Sequence, residues 1–178
     1  MSLTLIAPPT QEPVSLAELK DHMKITGAAE DAAIAGLGVA ARQMIEARFG
    51  LAIIAQGWRL TLDAPPRCAL TLPLSPVAAI DSLGVIKNGV TEVASPGGYE
   101  TQTGPVGRVL INSPLITDRK IGGVIIAFTA GWADAASVPD ELKLAVKTLA
   151  AHFYEHREGE GAPPAIAPLL AAYRQVRL

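Results

Sequence analysis

Apolar residues recur at intervals of three and four along two long stretches of the chain, a period typical of helices with one buried face. The first stripe consists of Ile34, Leu37, Ala41, Met44, Ile45 and Arg48, and the second of Leu142, Ala145, Val146, Leu149 and Phe153. A shorter helix is predicted over residues 16–24, because Ser15 and Glu18 have the spacing of a capping box. The pattern thus predicts two helices in the first third of the chain and one long helix near its end.

Gly36 and Gly38 lie inside the second predicted helix, although glycine costs a helix up to about 1 kcal/mol relative to alanine. Two explanations stay open. Either another helix crosses closely at these positions, or the first turn of the helix is irregular. The close crossing is the preferred explanation.

Between residues 55 and 131 the sequence pattern changes to that of short strands bounded by glycine and proline. Trp58, Leu60 and Leu62 alternate with polar residues, which is typical of a half-buried strand. Further strands are predicted at residues 68–72, 78–87, 108–111 and 124–130. Asn88 and Gly89 predict a tight hairpin turn.

In chain order, these elements predict an α+β fold. Two N-terminal helices and one long C-terminal helix are expected to form a helical core, with a small antiparallel β region inserted between them. We expect a single domain over residues 1–158, with the helical core at 14–50 and 137–158 and the β insertion at 55–131. Residues 159–178 are expected to form a linker and a C-terminal docking tail.

Composition and charge exclude several classes of protein. The 178 residues carry a formal net charge of −2, whereas a sequence-independent nucleic-acid binder normally has a basic excess. Cys68 is the single cysteine, which excludes an internal disulfide framework; we interpret it as a small apolar residue in a strand. No stretch reaches the roughly 18 apolar residues of a membrane span, and the first residues lack a signal-peptide pattern, so no membrane partner is expected.

The sharpest catalytic motif is the H-x-x-E-H pattern at residues 152–156. On a helix, His152 and His156 lie one turn apart on one side, and Glu155 would be the general base of a small zinc hydrolase. Such a site needs a third protein ligand, and few candidates follow His156. We therefore interpret both histidines as half-buried residues at the end of a core stripe. No catalytic, metal or cofactor-binding residue is assigned, and the zinc hydrolase remains the less favoured alternative.

Five stretches of the chain, taken in order, carry a family resemblance. They are residues 12–20 (EPVSLAELK), 56–63 (QGWRLTLD), 128–132 (FTAGW), 152–158 (HFYEHRE) and 169–178 (LLAAYRQVRL). In this order they resemble the head–tail connector, or adaptor, proteins of long-tailed phages, prophages and gene transfer agents. The resemblance spans nearly the whole chain, and it implies that residues 152–158 are a structural helix end.

The resemblance implies a structural subunit that is not an enzyme and binds no cofactor. About twelve copies would form a ring beneath the portal protein, closed by head-to-tail contacts. The ring would link the DNA-filled head to a stopper, head-completion or tail protein, and double-stranded DNA would pass through it without specific binding. The implied location is the neck of a phage or phage-like particle, assembled in the bacterial cytoplasm. A different neck ring, a stopper or tail-completion protein, stays an alternative, although the three helical stripes argue against it.

The C-terminal tail is the predicted portal-docking site. Its predicted contact residues are Leu169, Leu170, Tyr173, Arg174, Arg177 and Leu178. Tyrosine and arginine are favoured anchors of protein interfaces, because each combines a large contact area with polar groups. Deleting residues 166–178 is expected to leave a folded protein that no longer joins the head.

Overall fold

Eight strands and four helices occur in the residues that this computed structural model describes, 1–156 and 166–173. The strands are β1 (Ser2–Ala7), β2 (Gln56–Leu62), β3 (Leu70–Thr71), β4 (Val77–Lys87), β5 (Val90–Val93), β6 (Tyr99–Gln102), β7 (Arg108–Ile111) and β8 (Val124–Ala130). The helices are α1 (Leu16–Met23), α2 (Asp31–Phe49), α3 (Asp140–Glu155) and α4 (Ile166–Leu169). Within the described ranges, none of these helices is both long and apolar enough to cross a membrane.

The chain divides into two compact units. The sheet unit comprises Met1–Thr10 and Ala55–Gly131 and contains the eight strands. The helical unit comprises Gln11–Ile54 and Trp132–Leu178 and contains the four helices.

The sheet unit is built around β2, β8 and β4, the three inner strands of a five-stranded antiparallel sheet with the order β1-β2-β8-β4-β5. Alternate residues of β8 are buried, which is the period-two pattern of a strand with one face in a core. These residues are Val124, Ile126, Phe128 and Ala130. A second antiparallel sheet has the order β3-β7-β6.

A tight hairpin joins β4 to β5, as the sequence predicts. Asn88 and Gly89 have φ values of 51° and 78°. Two successive positive φ values are those of a type I′ turn, which matches the twist of the flanking strands. The loop between β7 and β8 is tied to this hairpin, because the Asn88 N–H donates to the Asp118 carboxylate at 2.6 Å and the Thr117 hydroxyl donates to the Ile86 carbonyl at 2.7 Å.

In the helical unit, α1 begins with the predicted capping box. The Ser15 backbone N–H donates to the Glu18 carboxylate at 2.8 Å, and the Glu18 N–H donates to the Ser15 hydroxyl at 3.3 Å. The hydrogen bonds from the Ser15 side chain and backbone lower the pKa of Glu18. Helix α2 ends at Gly50, whose φ of 67° is the left-handed conformation that glycine adopts without strain.

A close contact with α1 explains the glycine at position 38, which is one of the two glycines inside α2. A Cβ atom at this position would lie 2.7 Å from Cδ1 of Leu19 on α1, so the two helices cross too closely there for any side chain. A Cβ atom at Gly36 would meet nothing within 4 Å. The preferred explanation, a close helix crossing, is therefore correct for Gly38.

The three long helices of this unit share one buried apolar cluster. Its helical members include Leu19, Ile34, Ala41, Ile45, Leu142, Ala145, Val146 and Leu149. They are the buried positions of the two predicted stripes together with Leu19 of α1.

A buried arginine joins three segments of the helical unit. The Arg42 side chain on α2 is only 5% exposed and pairs with the Glu12 carboxylate at 2.7 Å and the Glu46 carboxylate at 2.6 Å. The other Glu46 carboxylate oxygen accepts the backbone N–H of Ile53 at 2.8 Å. Burial alone would lower the pKa of Arg42, but the two carboxylates outweigh it and the pKa is raised.

The predicted fold class is wrong. Sequence periodicity predicts an α+β fold in which a helical core carries a small β insertion, whereas two antiparallel sheets with eight strands make up the main part of the fold. The error has a physical cause, because strands such as β1, β5 and β6 have four to six residues and mostly exposed side chains. Such strands leave no alternating pattern of buried and exposed positions, so periodicity does not reveal them.

Candidate docking site in the C-terminal segment

Residues 166–173 are the described part of the predicted docking tail, and they form a short folded segment. Helix α4 is followed by a 3-10 turn over Ala171–Tyr173. The N–H of Leu170 donates to the Ile166 carbonyl at 3.2 Å, and the N–H of Tyr173 donates to the Leu170 carbonyl at 3.1 Å. These bonds hold the segment in one conformation and set which side chains face the helical unit.

Two apolar side chains anchor the segment to the helical unit. Ile166 is 3% exposed and Leu170 is 0% exposed, and both belong to the buried cluster. Leu169 and Tyr173 are partly buried and pack against the same cluster. The predicted docking residue Leu170 is therefore an internal anchor here, whereas Leu169 and Tyr173 keep part of their surface exposed.

Tyr173 is the polar end of this segment. Its ring meets the ring of Trp132 edge-on at a centroid distance of 6.3 Å, and its hydroxyl lies 3.5 Å from the Glu141 carboxylate on α3. Partial burial and the neighbouring Glu141 charge raise the pKa of Tyr173. A tyrosine ring that packs against a tryptophan suits protein contact, because it offers apolar area together with one hydrogen-bonding group.

The structure thus brings together three of the six predicted docking residues, namely Leu169, Leu170 and Tyr173. The other three, Arg174, Arg177 and Leu178, lie outside the described residues. Sequence reasoning missed Ile166 as an anchor and Glu141 as the partner of Tyr173. No sequence signal pairs Trp132 with Tyr173, which lies 41 positions away.

The H-x-x-E-H motif lies at the end of α3. The rings of His152 and His156 stack at a centroid distance of 4.4 Å, and the His156 backbone N–H donates to the His152 carbonyl at 2.9 Å. Glu155 is exposed. Across residues 1–156 and 166–173, no three His, Cys, Asp or Glu side chains are grouped so that they could hold a metal ion.

An open apolar groove of about 400 Å³ runs beside α1 in the helical unit. Leu16, Leu19 and Val146 line it, together with Gly38. Glu12 also lines the groove, but its carboxylate is held by Arg42. This lining offers contact area for an apolar chain segment.

The sheet unit carries most of the exposed apolar surface. Of eleven large hydrophobic side chains that are exposed among the described residues, nine belong to the sheet unit: Met1, Leu5, Ile6, Val90, Val93, Val106, Leu110, Ile116 and Ile121. Ile116 and Ile121 are 71% and 79% exposed on the loop between β7 and β8. Because that loop is tied to the β4–β5 hairpin, these two side chains project from a supported part of the surface.

Comparison with known proteins gives one family. The model of the family described as "Head completion protein" matches residues 12–175. No match was found among curated proteins.

Solved structures that match this chain come from gene transfer agent (GTA) particles. One is titled "Neck of empty GTA particle computed with C6 symmetry" and is 30% identical, with a TM-score of 0.86 over 100% of this chain and 97% of that chain. A second, "Virion of native gene transfer agent (GTA) particle", is 33% identical with a TM-score of 0.84 and the same coverage. A third, "Neck of native GTA particle computed with C12 symmetry", is 31% identical with a TM-score of 0.83, again at 100% and 97% coverage. The resemblance to head–tail connector proteins is confirmed.

Proposed function

The chain belongs to the head completion protein family, and on that premise we propose that it is the adaptor that joins the DNA-filled head of a phage-like particle to the stopper or tail. Its role as a structural subunit of the particle neck follows from the family and from the full-length similarity to neck chains. The observation that best supports the adaptor role is the similarity to neck chains. This similarity covers both units of the chain rather than one shared module.

The proposed assembly is a ring of about twelve copies beneath the portal protein, closed by head-to-tail contacts. The matching necks were computed with sixfold and twelvefold cyclic symmetry, which supports a ring in this family. The proposed partners are other copies of the chain, the portal, and a stopper, head-completion or tail protein. Assembly in the bacterial cytoplasm is part of the proposal.

The charge of the chain is compatible with a DNA channel. A net charge of −2 provides no basic excess to hold phosphates, so double-stranded DNA would pass without specific binding. The proposed role involves no catalysis and no cofactor.

The proposed portal contact is the C-terminal segment. Leu170 would fix the segment to the helical unit, while the exposed parts of Leu169 and Tyr173 would face the portal. Arg174, Arg177 and Leu178 continue the same segment in sequence and complete the proposed contact.

Deleting residues 174–178 tests this assignment. The longer deletion from residue 166 would remove Ile166 and Leu170 from the buried cluster and would confound docking with folding. We expect the shorter variant to fold, to unfold at the same temperature as the intact chain, and to be missing from purified particles. The matched control is Arg67→Ala/Arg108→Ala, which removes two exposed arginines of the sheet unit and should leave incorporation unchanged. Normal incorporation of the truncated chain would remove the assignment.

A second neck position remains a candidate because of the fold itself. The three helical stripes argued against a stopper or tail-completion ring, which is expected to consist mainly of strands. The described residues of this chain nevertheless contain eight strands. Cross-linking of intact particles followed by mass spectrometry separates the two. Cross-links between residues 166–178 and the portal support the adaptor, whereas cross-links to tail proteins alone support the second position.

A further inference from the structure

The five-stranded sheet ends in two edge strands, β1 and β5, each of which pairs with another strand of the described residues on one side only. Natural edges are blocked by charged side chains, proline or bulges, because an unpaired strand presents a row of free N–H and C=O groups. Strand β1 carries no ionisable side chain, and its bulge and Pro8 come only after Leu5. Strand β5 contains Val90 and Val93, which are 65% and 67% exposed.

The exposed apolar surface is concentrated on these two edges. Strands β1 and β5 contribute ten residues to the chain, yet they hold four of the eleven exposed large hydrophobics among the described residues: Leu5, Ile6, Val90 and Val93. Charge does not oppose contact between the two edges. The one carboxylate of β5, Glu92, is paired with Lys87 at 3.7 Å, and β1 is uncharged.

The strand order fixes how two edges can meet. The sheet has five strands and every neighbouring pair is antiparallel, so the two edge strands run in the same direction. A twofold axis would pair β1 with β1 of another copy in antiparallel fashion. A rotational ring instead joins two different surfaces of the same chain, which brings β1 of one copy beside β5 of the next in parallel.

We propose that β1 of one copy pairs in parallel with β5 of the neighbouring copy and so closes the ring. This inference rests on the proposed ring of identical subunits. It names the surface through which neighbouring copies recognise each other, which the C-terminal docking segment does not supply.

The register of the sheet gives the alignment of the two strands. Ser2, Thr61, Ile125, Gly84 and Val93 lie in one row across the sheet. A copy placed level with its neighbour would therefore overlap at Ser2 and Val93 alone. Displacing the neighbour by four residues brings Leu3, Thr4 and Leu5 beside Val90, Thr91 and Glu92, before the bulge that follows Leu5. It also keeps the two faces of the sheet matched, because side chains alternate with a period of two.

With this displacement, Leu3 aligns with Val90 on one face and Thr4 aligns with Thr91 on the other. Four residues correspond to a displacement of about 13 Å along the strands, and five strands are about 24 Å wide. The strands would thus be inclined by about 30° to the ring axis, as the strands of a closed barrel are inclined by their shear.

A charge exchange at Thr4 and Thr91 tests the pairing. Both side chains are exposed in this structure, so neither substitution disturbs a core. We expect Thr4→Lys or Thr91→Lys alone to raise the concentration of half-assembly about tenfold, and Thr4→Lys/Thr91→Lys to abolish the ring, since like charges opposite one another destabilise strand pairs. Thr4→Lys/Thr91→Glu should restore assembly. The matched control is Thr4→Lys/Thr101→Glu, which places the same acid on exposed β6 of the other sheet and should not restore it.

Native mass spectrometry of the full chain reads the outcome, with thermal unfolding to show that each variant folds. The edge pairing is overturned if the lysine substitutions at Thr4 and Thr91 leave assembly unchanged. It is also overturned if Thr101→Glu restores assembly as well as Thr91→Glu does. A chain that stays monomeric at millimolar concentration overturns it too. Neither result bears on the adaptor role, which is tested separately by incorporation of the C-terminal variants into particles.

Discussion

The two units of the chain differ in where they keep their apolar side chains. The helical unit buries them in one cluster shared by α1, α2 and α3, and among the described residues it exposes only Met44 and Leu144 of the large hydrophobics. The sheet unit buries one face of its central strands but exposes nine large hydrophobic side chains on its strands, loops and N-terminus.

This difference separates stability from assembly. An apolar side chain that is buried within one copy contributes to folding, whereas one that is held in water by a folded scaffold gains only when a partner covers it. We therefore expect substitutions in the helical unit to change the free energy of unfolding, and substitutions on the exposed edges and loops of the sheet unit to change association. The docking segment belongs to both classes, because Leu170 is buried and Tyr173 is partly exposed.

The largest expected effect is loss of a buried side chain in the helical unit. Leu142 is 0% exposed, and Leu142→Ala should lower the free energy of unfolding by about 2–5 kcal/mol through lost burial and a cavity. Urea unfolding followed by fluorescence measures it, because Trp132 lies in the helical unit and Trp58 in the sheet unit. In a Trp58→Phe variant, the remaining tryptophan, Trp132, reports on the helical unit. In that variant, Leu142→Ala should move the midpoint of unfolding to a lower urea concentration. Leu144→Ala, an exposed neighbour on the same helix, is the control and should change little.

The next effect compares a buried ion pair with an exposed one. Arg42→Met removes the buried guanidinium that pairs with the Glu46 carboxylate, which is 11% exposed, and should cost about 3–5 kcal/mol. Glu92→Gln breaks the pair with Lys87 in the sheet unit, where both side chains are more than 40% exposed, and should cost about 0.5 kcal/mol or less. Equal losses in urea unfolding would contradict the contrast between the two units.

These elements also show which parts of the fold are predictable from sequence. Local signals succeeded: the capping box at Ser15 and the Asn88-Gly89 turn are each determined by a few neighbouring residues. Residues 124–130 were also predicted as a strand, and β8 spans Val124–Ala130.

Non-local pairing was not predictable. Strand β1 exists because residues 2–7 pair with residues 57–61, which lie 50 to 59 positions away. Cys68 was expected inside a strand but is exposed in a bend before β3. At the docking site, composition pointed to Tyr173 and the arginines, whereas the anchoring by Ile166 and the seat on Trp132 depend on tertiary packing.

A smaller effect is expected at the capping box of α1. Ser15→Ala should cost about 1 kcal/mol, because the helix loses its N-cap.

The pKa of Glu18 is lowered in the folded chain from its ordinary value near 4.5, so the stability from this carboxylate is fully present above pH 4.5 and is lost as the pH falls through the folded value. Glu18→Gln should flatten the pH dependence in this range. Thermal unfolding between pH 3 and pH 7 measures it, and an unchanged slope in Glu18→Gln would contradict the assignment.

The smallest effect on stability is expected on the loop between β7 and β8. Ile121 is 79% exposed, and Ile121→Ser should change the free energy of unfolding by about 0.5 kcal/mol or less. If this side chain is covered by a neck partner, the variant should nevertheless be under-represented in particles when it competes with the intact chain. Thr103→Ala, on another exposed loop of the sheet unit, is the control. Equal incorporation of Ile121→Ser and the intact chain would show that the exposed isoleucine is not a contact.

The central claim, that this chain is the adaptor directly beneath the portal, is tested most directly by electron cryomicroscopy of the particle neck with this chain traced in the map. The account predicts a closed ring of copies in contact with the portal, with residues 166–178 at that contact. A ring separated from the portal by another protein, or one whose C-terminal segments face the tail, would contradict it.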